Sequence, residues 1–279
     1  MLAQAIVANL LWGMMPLYYY FLGDISPVLL LSSQVTGTFL TLALYSYIRG
    51  DIIFSSNALQ HLPTALLISC NWIFYMIAVL SGRVLEASYA YMIMPIITVI
   101  VGAIIIKEEL TWLHKIGILI CSLSVAVDAV SVKAFPLLSF FIALPFSLYV
   151  IFHKRRGTAD VIGSLRSETA LMTPIILLLG ALLLSPSMLV EVSYKNWGLL
   201  LAMGIVNATP LLLFVKASRK LRAVELGACQ FIAPITASIL ALALFDSHIN
   251  IIRFISFIGM ATGMGLVVFA RSTTYAEKR

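Results

Sequence analysis

The sequence contains few charged residues. Asp, Glu, Lys and Arg make up 11% of its 279 residues, whereas apolar residues make up 61%. Soluble globular proteins average about 25% charged and about 45–50% apolar residues. A water-soluble fold is therefore excluded, and the mean hydropathy of +1.04 indicates a protein that folds in a lipid bilayer.

The sequence also lacks the motifs of known catalytic sites. It contains no phosphate-binding Walker loop, no G-x-S-x-G nucleophile elbow and no H-E-x-x-H metal-binding pair. Its four histidines lie near predicted helix ends without the spacing of metal ligands: His61, His114, His153 and His248. The sequence thus predicts neither an enzyme nor a cofactor. A membrane-embedded enzyme or a channel without a recognisable motif stays open as an alternative.

Cysteine is scarce as well. The three cysteines, Cys70, Cys121 and Cys229, each lie inside a long apolar run. In such surroundings a free cysteine behaves as a small apolar residue. We therefore predict no disulfide framework.

Long apolar runs dominate what the chain does contain. A helix needs about 20 apolar residues to cross a bilayer core about 30 Å thick. Ten such runs are separated by charged or turn residues: 2–22, 25–48, 59–80, 84–106, 112–130, 135–152, 161–184, 197–217, 223–245 and 249–270. The runs are apolar on all sides, which excludes the alternating pattern of membrane β-strands. The predicted fold class is an all-α polytopic membrane protein with ten transmembrane helices.

Basic residues are distributed unevenly between alternate loops. If the N-terminus is cytoplasmic, the outer loops hold only Arg83, Lys133 and Lys195, and the inner loops and tail hold the other loop Lys and Arg residues. Because short loops rich in Lys and Arg stay in the cytoplasm, both termini are predicted to be cytoplasmic. The loops are too short for a basic nucleic-acid-binding surface, so no nucleic acid partner is predicted.

The two halves of the chain resemble each other at an offset of 139 residues. At this offset Arg83 aligns with Arg222, Glu86 with Glu225, and Pro95 with Pro234. A repeat of five helices crosses the membrane an odd number of times, so its second copy must be inverted. We predict a first five-helix repeat at 1–134, a second at 135–271, and a short cytoplasmic tail at 272–279.

The aligned residues lie on the fourth helix of each repeat and are the candidate gate or hinge residues. Each acid lies in the first turn of its helix, where the helix dipole favours it, and three residues after an arginine. One interpretation is local pairing within the helix; the other is a gate at each membrane face. Each proline removes a backbone donor and loosens the helix. The set is Arg83, Glu86, Pro95, Arg222, Glu225 and Pro234.

Polar and aromatic residues inside the apolar runs are the candidate cavity residues. An ionised group in hydrocarbon costs about 2.5–3.5 kcal/mol on insertion scales, so such groups usually face the bundle interior. Glu168 is the deepest acid, and it either lines a cavity or belongs to a structural hydrogen-bond network. Asp128 is expected at the membrane interface. The candidates, whose alternative role is ordinary packing, are Asn9, Trp12, Tyr19, Asn71, Trp72, Tyr75, Tyr89, Glu168, Asn207 and Gln230.

Several stretches carry a family resemblance. The segments are "LLWGMMPLYYYFL" from Leu10, "NW" at Asn71, "GRVLEASYAYMIMP" from Gly82, "KEEL" from Lys107, "TPLLLF" from Thr209 and "ELGACQFIAP" from Glu225. Together they resemble the RarD branch of the drug/metabolite transporter superfamily. The resemblance implies an EamA-type carrier of the bacterial inner membrane, with two inverted five-helix repeats around a central cavity. Polar residues expected in that branch are replaced at Leu29, Ser33, Gln34, Leu80 and Met94.

These observations together predict a membrane permease. We expect secondary-active or facilitative transport of small organic solutes, such as metabolites or drugs, by alternating access and without ATP hydrolysis. The expected partners are the lipid bilayer and a small-molecule solute, and either a proton or no coupling ion. The sequence does not specify the solute, the direction of transport or the oligomeric state.

Overall fold

The computed structural model describes residues 1–51, 58–131, 137–157, 160–244 and 251–276, and these residues contain helices and no strands. Lys133 and His248 lie outside this set. The helices are α1 Leu2–Gly13, α2 Met15–Leu22, α3 Pro27–Ile48, α4 Leu62–Leu80, α5 Val84–Ile105, α6 Trp112–Ser131, α7 Leu137–Arg156, α8 Val161–Leu183, α9 Pro186–Val190, α10 Tyr194–Ser218, α11 Ala223–Gln230, α12 Ile232–Leu244 and α13 Ile251–Ala276. A short 3-10 turn, Ala58–His61, precedes α4.

Most of these helices are long enough to cross a bilayer. Within the described residues, nine helical segments have the length and apolar composition that a membrane span requires. The last helix, α13, contains a shorter apolar stretch, Phe254–Val267. The prediction of an all-helical, multi-pass membrane protein is therefore confirmed.

Two of the long segments are interrupted near prolines. The first segment divides at Met14 into α1 and α2, and Pro16 is the second residue of α2. A later segment divides at Phe231 into α11 and α12, three residues before Pro234. A proline cannot donate to the carbonyl four residues earlier, so the helix ladder is weakest just before it.

The helix α5, by contrast, continues through Pro95. The two aligned prolines therefore differ, since only the Pro234 copy lies beside a helix break. The carbonyl oxygen of Met94 accepts bonds from Thr98 Oγ1 at 2.9 Å and Ser147 Oγ at 3.2 Å. Such side-chain donors satisfy backbone groups near a proline at membrane depth, where no water is available.

Glycines allow several helices to pack closely. At the α3–α10 contact, a Cβ built on Gly37 would lie only 2.9 Å from the Cα of Gly204. At the α6–α13 contact, a Cβ on Gly263 would lie 2.6 Å from the carbonyl oxygen of Gly117. Small residues are typical of membrane helix interfaces because they let the backbones approach each other. These glycines therefore set the spacing between the helices that surround the site.

The glycine contact predicts a position-specific loss of stability. Replacing Gly204 with Ala places a methyl group against the Gly37 backbone, and overpacking of this kind costs about 1–3 kcal/mol. We expect Gly204→Ala to unfold at a lower temperature than the wild type in detergent micelles. Gly198→Ala is the matched control, because no atom lies within 4 Å of its added Cβ. Equal unfolding temperatures for the two variants would contradict the role of the contact.

Candidate functional site

A cavity of about 740 Å³ lies inside the helix bundle. Its volume falls in the range of about 300–1,000 Å³ that is usual for small-molecule sites. The lining residues run from the middle of the bundle to one end, where α2 ends and α5 begins. We call this the mouth end, and we call the opposite end, where α5 ends and α11 begins, the closed end.

Most of the predicted cavity residues surround this cavity. Nine of the ten line it: Asn9, Trp12, Tyr19, Asn71, Trp72, Tyr75, Tyr89, Asn207 and Gln230. The hinge candidate Pro234 also contributes to the lining. Among the five positions that differ from the RarD pattern, Gln34 and Met94 line the cavity. Differences at those two positions alter the cavity surface directly.

Three asparagines are fixed in the cavity wall by their amide groups. The Nδ2 of Asn9 donates to the carbonyl oxygen of Ala5 at 2.8 Å. The Nδ2 of Asn71 donates to the carbonyl oxygen of Ile142 at 2.8 Å. Asn207 similarly donates to Thr38 Oγ1 at 2.9 Å, which links α10 to α3. These bonds hold three amide side chains in defined orientations beside the cavity.

Gln230 has a different environment. Its side chain is buried, and neither its amide oxygen nor its amide nitrogen has a hydrogen-bond partner among the residues that the structure describes. Leaving a buried polar group unsatisfied costs about 1–3 kcal/mol. Because Gln230 lines the cavity, a molecule bound there can supply the missing partners.

The cavity surface is aromatic and uncharged. No described residue in its lining is Asp, Glu, Lys, Arg or His. The ring of Trp12 meets the rings of Phe146 and Phe214 edge-on, at centroid distances of 5.9 and 5.3 Å. Further aromatic residues in the lining are Tyr19, Trp72, Tyr75, Tyr89, Tyr91 and Phe257. Such a surface suits an apolar or aromatic body with a few hydrogen-bonding groups.

The closed end is held by Glu108, in the loop after α5. Its Oε1 and Oε2 accept the backbone N–H of Ala223, at 2.9 and 2.8 Å, and so cap the N-terminus of α11. Lys154 Nζ lies 3.4 Å from Oε1, and Arg222 Nε lies 4.0 Å from Oε2. Arg222 Nη2 also donates to the carbonyl oxygen of Glu109 at 2.7 Å. One carboxylate thus joins the end of α5, the end of α7 and the start of α11.

The two acids predicted as gate residues make local contacts. Glu86 Oε1 lies 2.6 Å from Arg83 Nε, within the same helix end. Glu225 Oε2 accepts the backbone N–H of Arg222 at 3.0 Å and caps its own helix. Glu108, which sequence reasoning missed, makes a contact between helices at the closed end. Its partners are distant in sequence, so no local pattern reveals it.

Glu168 is not among the residues that line the cavity; it lies in a buried polar cluster closer to the closed end. Thr64 Oγ1 donates to its Oε1 at 2.6 Å, and Tyr149 Oη donates to its Oε2 at 3.1 Å. His153 Nε2 lies 2.9 Å and His61 Nδ1 lies 3.9 Å from Oε1. Two of the histidines that have no ligand spacing in the sequence, His61 and His153, are therefore neighbours here.

Asp128 also differs from expectation. It is fully buried instead of lying at the membrane interface, and its Oδ2 accepts the hydroxyl of Tyr89 at 2.7 Å. Tyr89 in turn lines the cavity. The buried hydrogen bond explains how a carboxyl group is tolerated at this position, since unpaired polar groups are costly there.

Comparison with known proteins shows similarity to one transporter family. Residues 1–129 match the model of the EamA-like transporter family. "Protein RarD" of Escherichia coli is 25% identical over 284 residues, which cover 99% of this chain and 95% of that protein. The first part of the chain is thus similar to EamA-like transporters, and nearly the whole chain is similar to RarD.

Other comparisons agree with this similarity. "Uncharacterized transporter YojE" of Bacillus subtilis is 27% identical to this chain over 277 residues, covering 95% of the chain and 92% of the relative. A crystal structure that is 18% identical superposes with a TM-score of 0.77 and covers 96% of this chain and 97% of its own, which shows a shared fold. The chain is thus a multi-pass membrane protein that is similar to proteins named as transporters.

The closed-end contact of this chain can be tested by charge removal. Glu108→Gln should weaken the cap on α11 and the pairs with Lys154 and Arg222, and loss of a helix cap alone costs about 0.5–2 kcal/mol. We expect a lower unfolding temperature in detergent micelles. Glu109→Gln removes an exposed neighbouring charge and should change the unfolding temperature less. A larger effect of Glu109→Gln would contradict the proposed role of Glu108.

Proposed function

We propose that this protein is an EamA-type carrier that moves small uncharged organic solutes across the membrane by alternating access. A gradient of the solute or of a coupled ion would supply the energy, and ATP would not be hydrolysed. The observation that carries the proposal is a cavity of about 740 Å³ that reaches the mouth end, while Glu108 and its partners hold the opposite end together. A carrier must keep one end of its cavity closed, whereas an open pore does not need a closed end.

The helix pairing supports the proposed pair of inverted five-helix repeats, 1–134 and 135–271. Counterpart helices of the two halves pack against each other: α3 with α8, α5 with α11, and α6 with α13. Contacts between other helices are also repeated in the two halves. The helices α4 and α5 pack against α7, and their counterparts α10 and α12 pack against α1, which is the counterpart of α7. A repeat related by a two-fold axis in the membrane plane would produce this pattern.

The proposed orientation places the closed end in the cytoplasm and the mouth end outside. Lys154, Lys220 and Arg222 lie at the closed end, and short loops rich in Lys and Arg remain cytoplasmic. With both termini cytoplasmic and the protein in the bacterial inner membrane, the structure then corresponds to an outward-open state.

The proposed transport cycle separates one set of contacts and forms another. Opening the closed end would break the contacts of Glu108 with Arg222 and Lys154. Closing the mouth would bring Arg83 and Glu86 toward the facing helices, which gives these residues the gate role predicted from the sequence. The helix break before Pro234 and the missing backbone donor at Pro95 would act as hinges.

The proposed solute class follows from the cavity surface. Since the described lining carries no charge, an ion entering it would lose its hydration without an opposite charge to compensate. Aromatic rings offer contacts to an apolar body, and the unpartnered amide of Gln230 can both donate and accept a hydrogen bond. An uncharged metabolite or drug-like molecule with amide or hydroxyl groups fits these features best.

The proposed function is tested by finding the solute and measuring its exchange. Untargeted comparison of metabolites inside and outside cells, with and without the protein, should reveal at least one redistributed uncharged solute. In proteoliposomes that solute should then show trans-acceleration, in which solute on one side speeds flux from the other. A channel would show no trans-acceleration, and an enzyme would convert the solute instead of moving it.

Gln230 should contribute to solute affinity. Gln230→Leu removes both amide hydrogen-bonding groups, and the loss of one hydrogen bond to the solute, worth about 0.5–1.5 kcal/mol, should raise the apparent KM for exchange of the identified solute about 3- to 10-fold. Thr262→Val, which removes an exposed hydroxyl bonded only to its own helix, is the control and should leave the KM unchanged. An unchanged KM in Gln230→Leu would exclude contact between this residue and the solute.

The orientation should be visible by cysteine labelling. The background is a variant in which Cys70, Cys121 and Cys229 are replaced. In cells whose outer membrane is permeabilised and whose inner membrane is intact, we expect Ser88→Cys at the mouth to react with a membrane-impermeant maleimide. Lys220→Cys at the closed end should react only after the inner membrane is also permeabilised. The reverse pattern would show that the orientation is wrong.

A further inference from the structure

The buried cluster around Glu168 is not part of the cavity lining and joins the two halves of the chain at the closed end. Its members from the first half are His61, in the 3-10 turn before α4, and Thr64, in the first turn of α4. From the second half come Tyr149 and His153 on α7 and Glu168 on α8. Any opening of the closed end must therefore separate His61 and Thr64 from Glu168.

The charges around Glu168 are predominantly positive. From α7, Arg156 Nη1 lies 3.0 Å from His61 Nδ1 and 3.4 Å from Thr64 Oγ1. From the loop after α10, Arg219 interacts electrostatically with Glu168 and donates to Ser164 Oγ at 3.2 Å. The carboxylate of Glu168 is thus the buried negative charge between these cationic groups.

The other charged groups on α8 have their own partners. Asp160 Oδ1 accepts the backbone N–H of Gly163 at 2.8 Å and caps the helix, while the carboxylate also attracts Arg219. Arg166 is buried and donates to Ser46 Oγ on α3. These groups do not replace the interactions of the Glu168 carboxylate with Thr64, Tyr149 and His153.

Two features of the cluster are compatible with two protonation states of Glu168. His153 is fully buried, and neither of its ring nitrogens makes a hydrogen bond of ordinary geometry, although Nε2 lies 2.9 Å from Glu168 Oε1. Thr64 Oγ1 has a single proton but two acceptors within reach, Glu168 Oε1 at 2.6 Å and the carbonyl oxygen of His61 at 2.9 Å. When Glu168 is ionised the hydroxyl can donate to it, and when Glu168 is protonated the hydroxyl can turn to His61.

The cluster lies just below the cavity floor. Phe146 lines the cavity, and its ring contacts the ring of Tyr149 at a centroid distance of 6.0 Å, one turn further along α7. Tyr149 then donates to Glu168. A single aromatic layer therefore separates the solute cavity from the carboxylate, so opening the closed end would expose Glu168 to the aqueous phase on that side.

We propose that Glu168, with Thr64, Tyr149 and His153, forms a proton-binding site that controls the closed end. The ionised carboxylate holds His61 and Thr64 of the first half against Arg156 and Arg219 of the second half. A proton taken from the aqueous phase binds a carboxylate oxygen, removes the negative charge between the cationic groups, and releases the closed end. This inference rests on the proposed alternating access and names a proton as its coupling ion.

The test measures the closed end directly and needs no solute. Spin labels on Leu59→Cys and Lys220→Cys, two exposed positions on opposite halves, report the distance across the closed end. The background has the native cysteines replaced and is held in lipid nanodiscs. Between pH 8 and pH 4 we expect the distance to increase. An unchanged distance over this range would overturn the proposal.

Three further variants in the same background identify the responsible group. Glu168→Gln mimics the protonated acid and should show the longer distance at every pH, whereas Glu191→Gln, an exposed acid on α9's C-terminal side, should respond like the background. Thr64→Val removes a donor that stabilises the ionised carboxylate, so the midpoint of the distance change should rise by about one pH unit.

The possible results separate this inference from the proposed carrier function. A pH response that persists in Glu168→Gln, or an unchanged midpoint in Thr64→Val, would overturn the proton site even if solute exchange is observed. If Glu168→Gln does not fold, Thr64→Val decides the question by itself. If no solute is exchanged but the pH response is observed, the proposed carrier function is contradicted and the proton-controlled opening of the closed end is supported.

Discussion

The contact of Glu108 with the start of α11 is the interaction on which the rest of the arrangement depends. At this point α5 and α11 lie so close that a Cβ on Gly102 would clash with the Cβ of Ala223, the residue that Glu108 caps. The same two segments diverge toward the mouth end, where residues of α5 and α12 line the cavity. Because the helices meet at one end and part at the other, the space between them forms a site that reaches only one end of the bundle.

The cavity and the Glu168 cluster have complementary chemistry. The cavity surface is aromatic and uncharged, and it offers amide groups to a solute. The cluster beneath it is charged, and its groups contact one another. In the proposed cycle this separation would allow the solute and a proton to occupy different sites while acting on the same helices. The rings of Tyr149 and Phe146 form the layer between the two sites and contact each other.

The sequence predicted the helices and most of the cavity because those features depend on local pattern. Apolar run length determines where a membrane helix lies, and polar or aromatic residues inside those runs usually face the bundle interior. Glu108, His61 and His153 could not be assigned in this way, because their partners come from distant parts of the chain. Glu168 was recognised as unusual from its depth, but only the packing of α4 and α7 against α8 shows what it contacts. Similarly, the alignment of Pro95 with Pro234 did not reveal that one helix continues while the other breaks.

The interruptions at Met14 and Phe231 have a mechanical consequence. The two segments that contain them touch, since a Cβ on Gly13 would lie 2.8 Å from the carbonyl oxygen of Ala233. The α2 and α12 portions beyond the interruptions also contact each other and form part of the mouth. Bending a helix where its hydrogen-bond ladder is already incomplete costs less than bending a continuous one. The mouth can therefore narrow by tilting two short, neighbouring arms as a unit, while α1 and α11 keep the cavity floor in place.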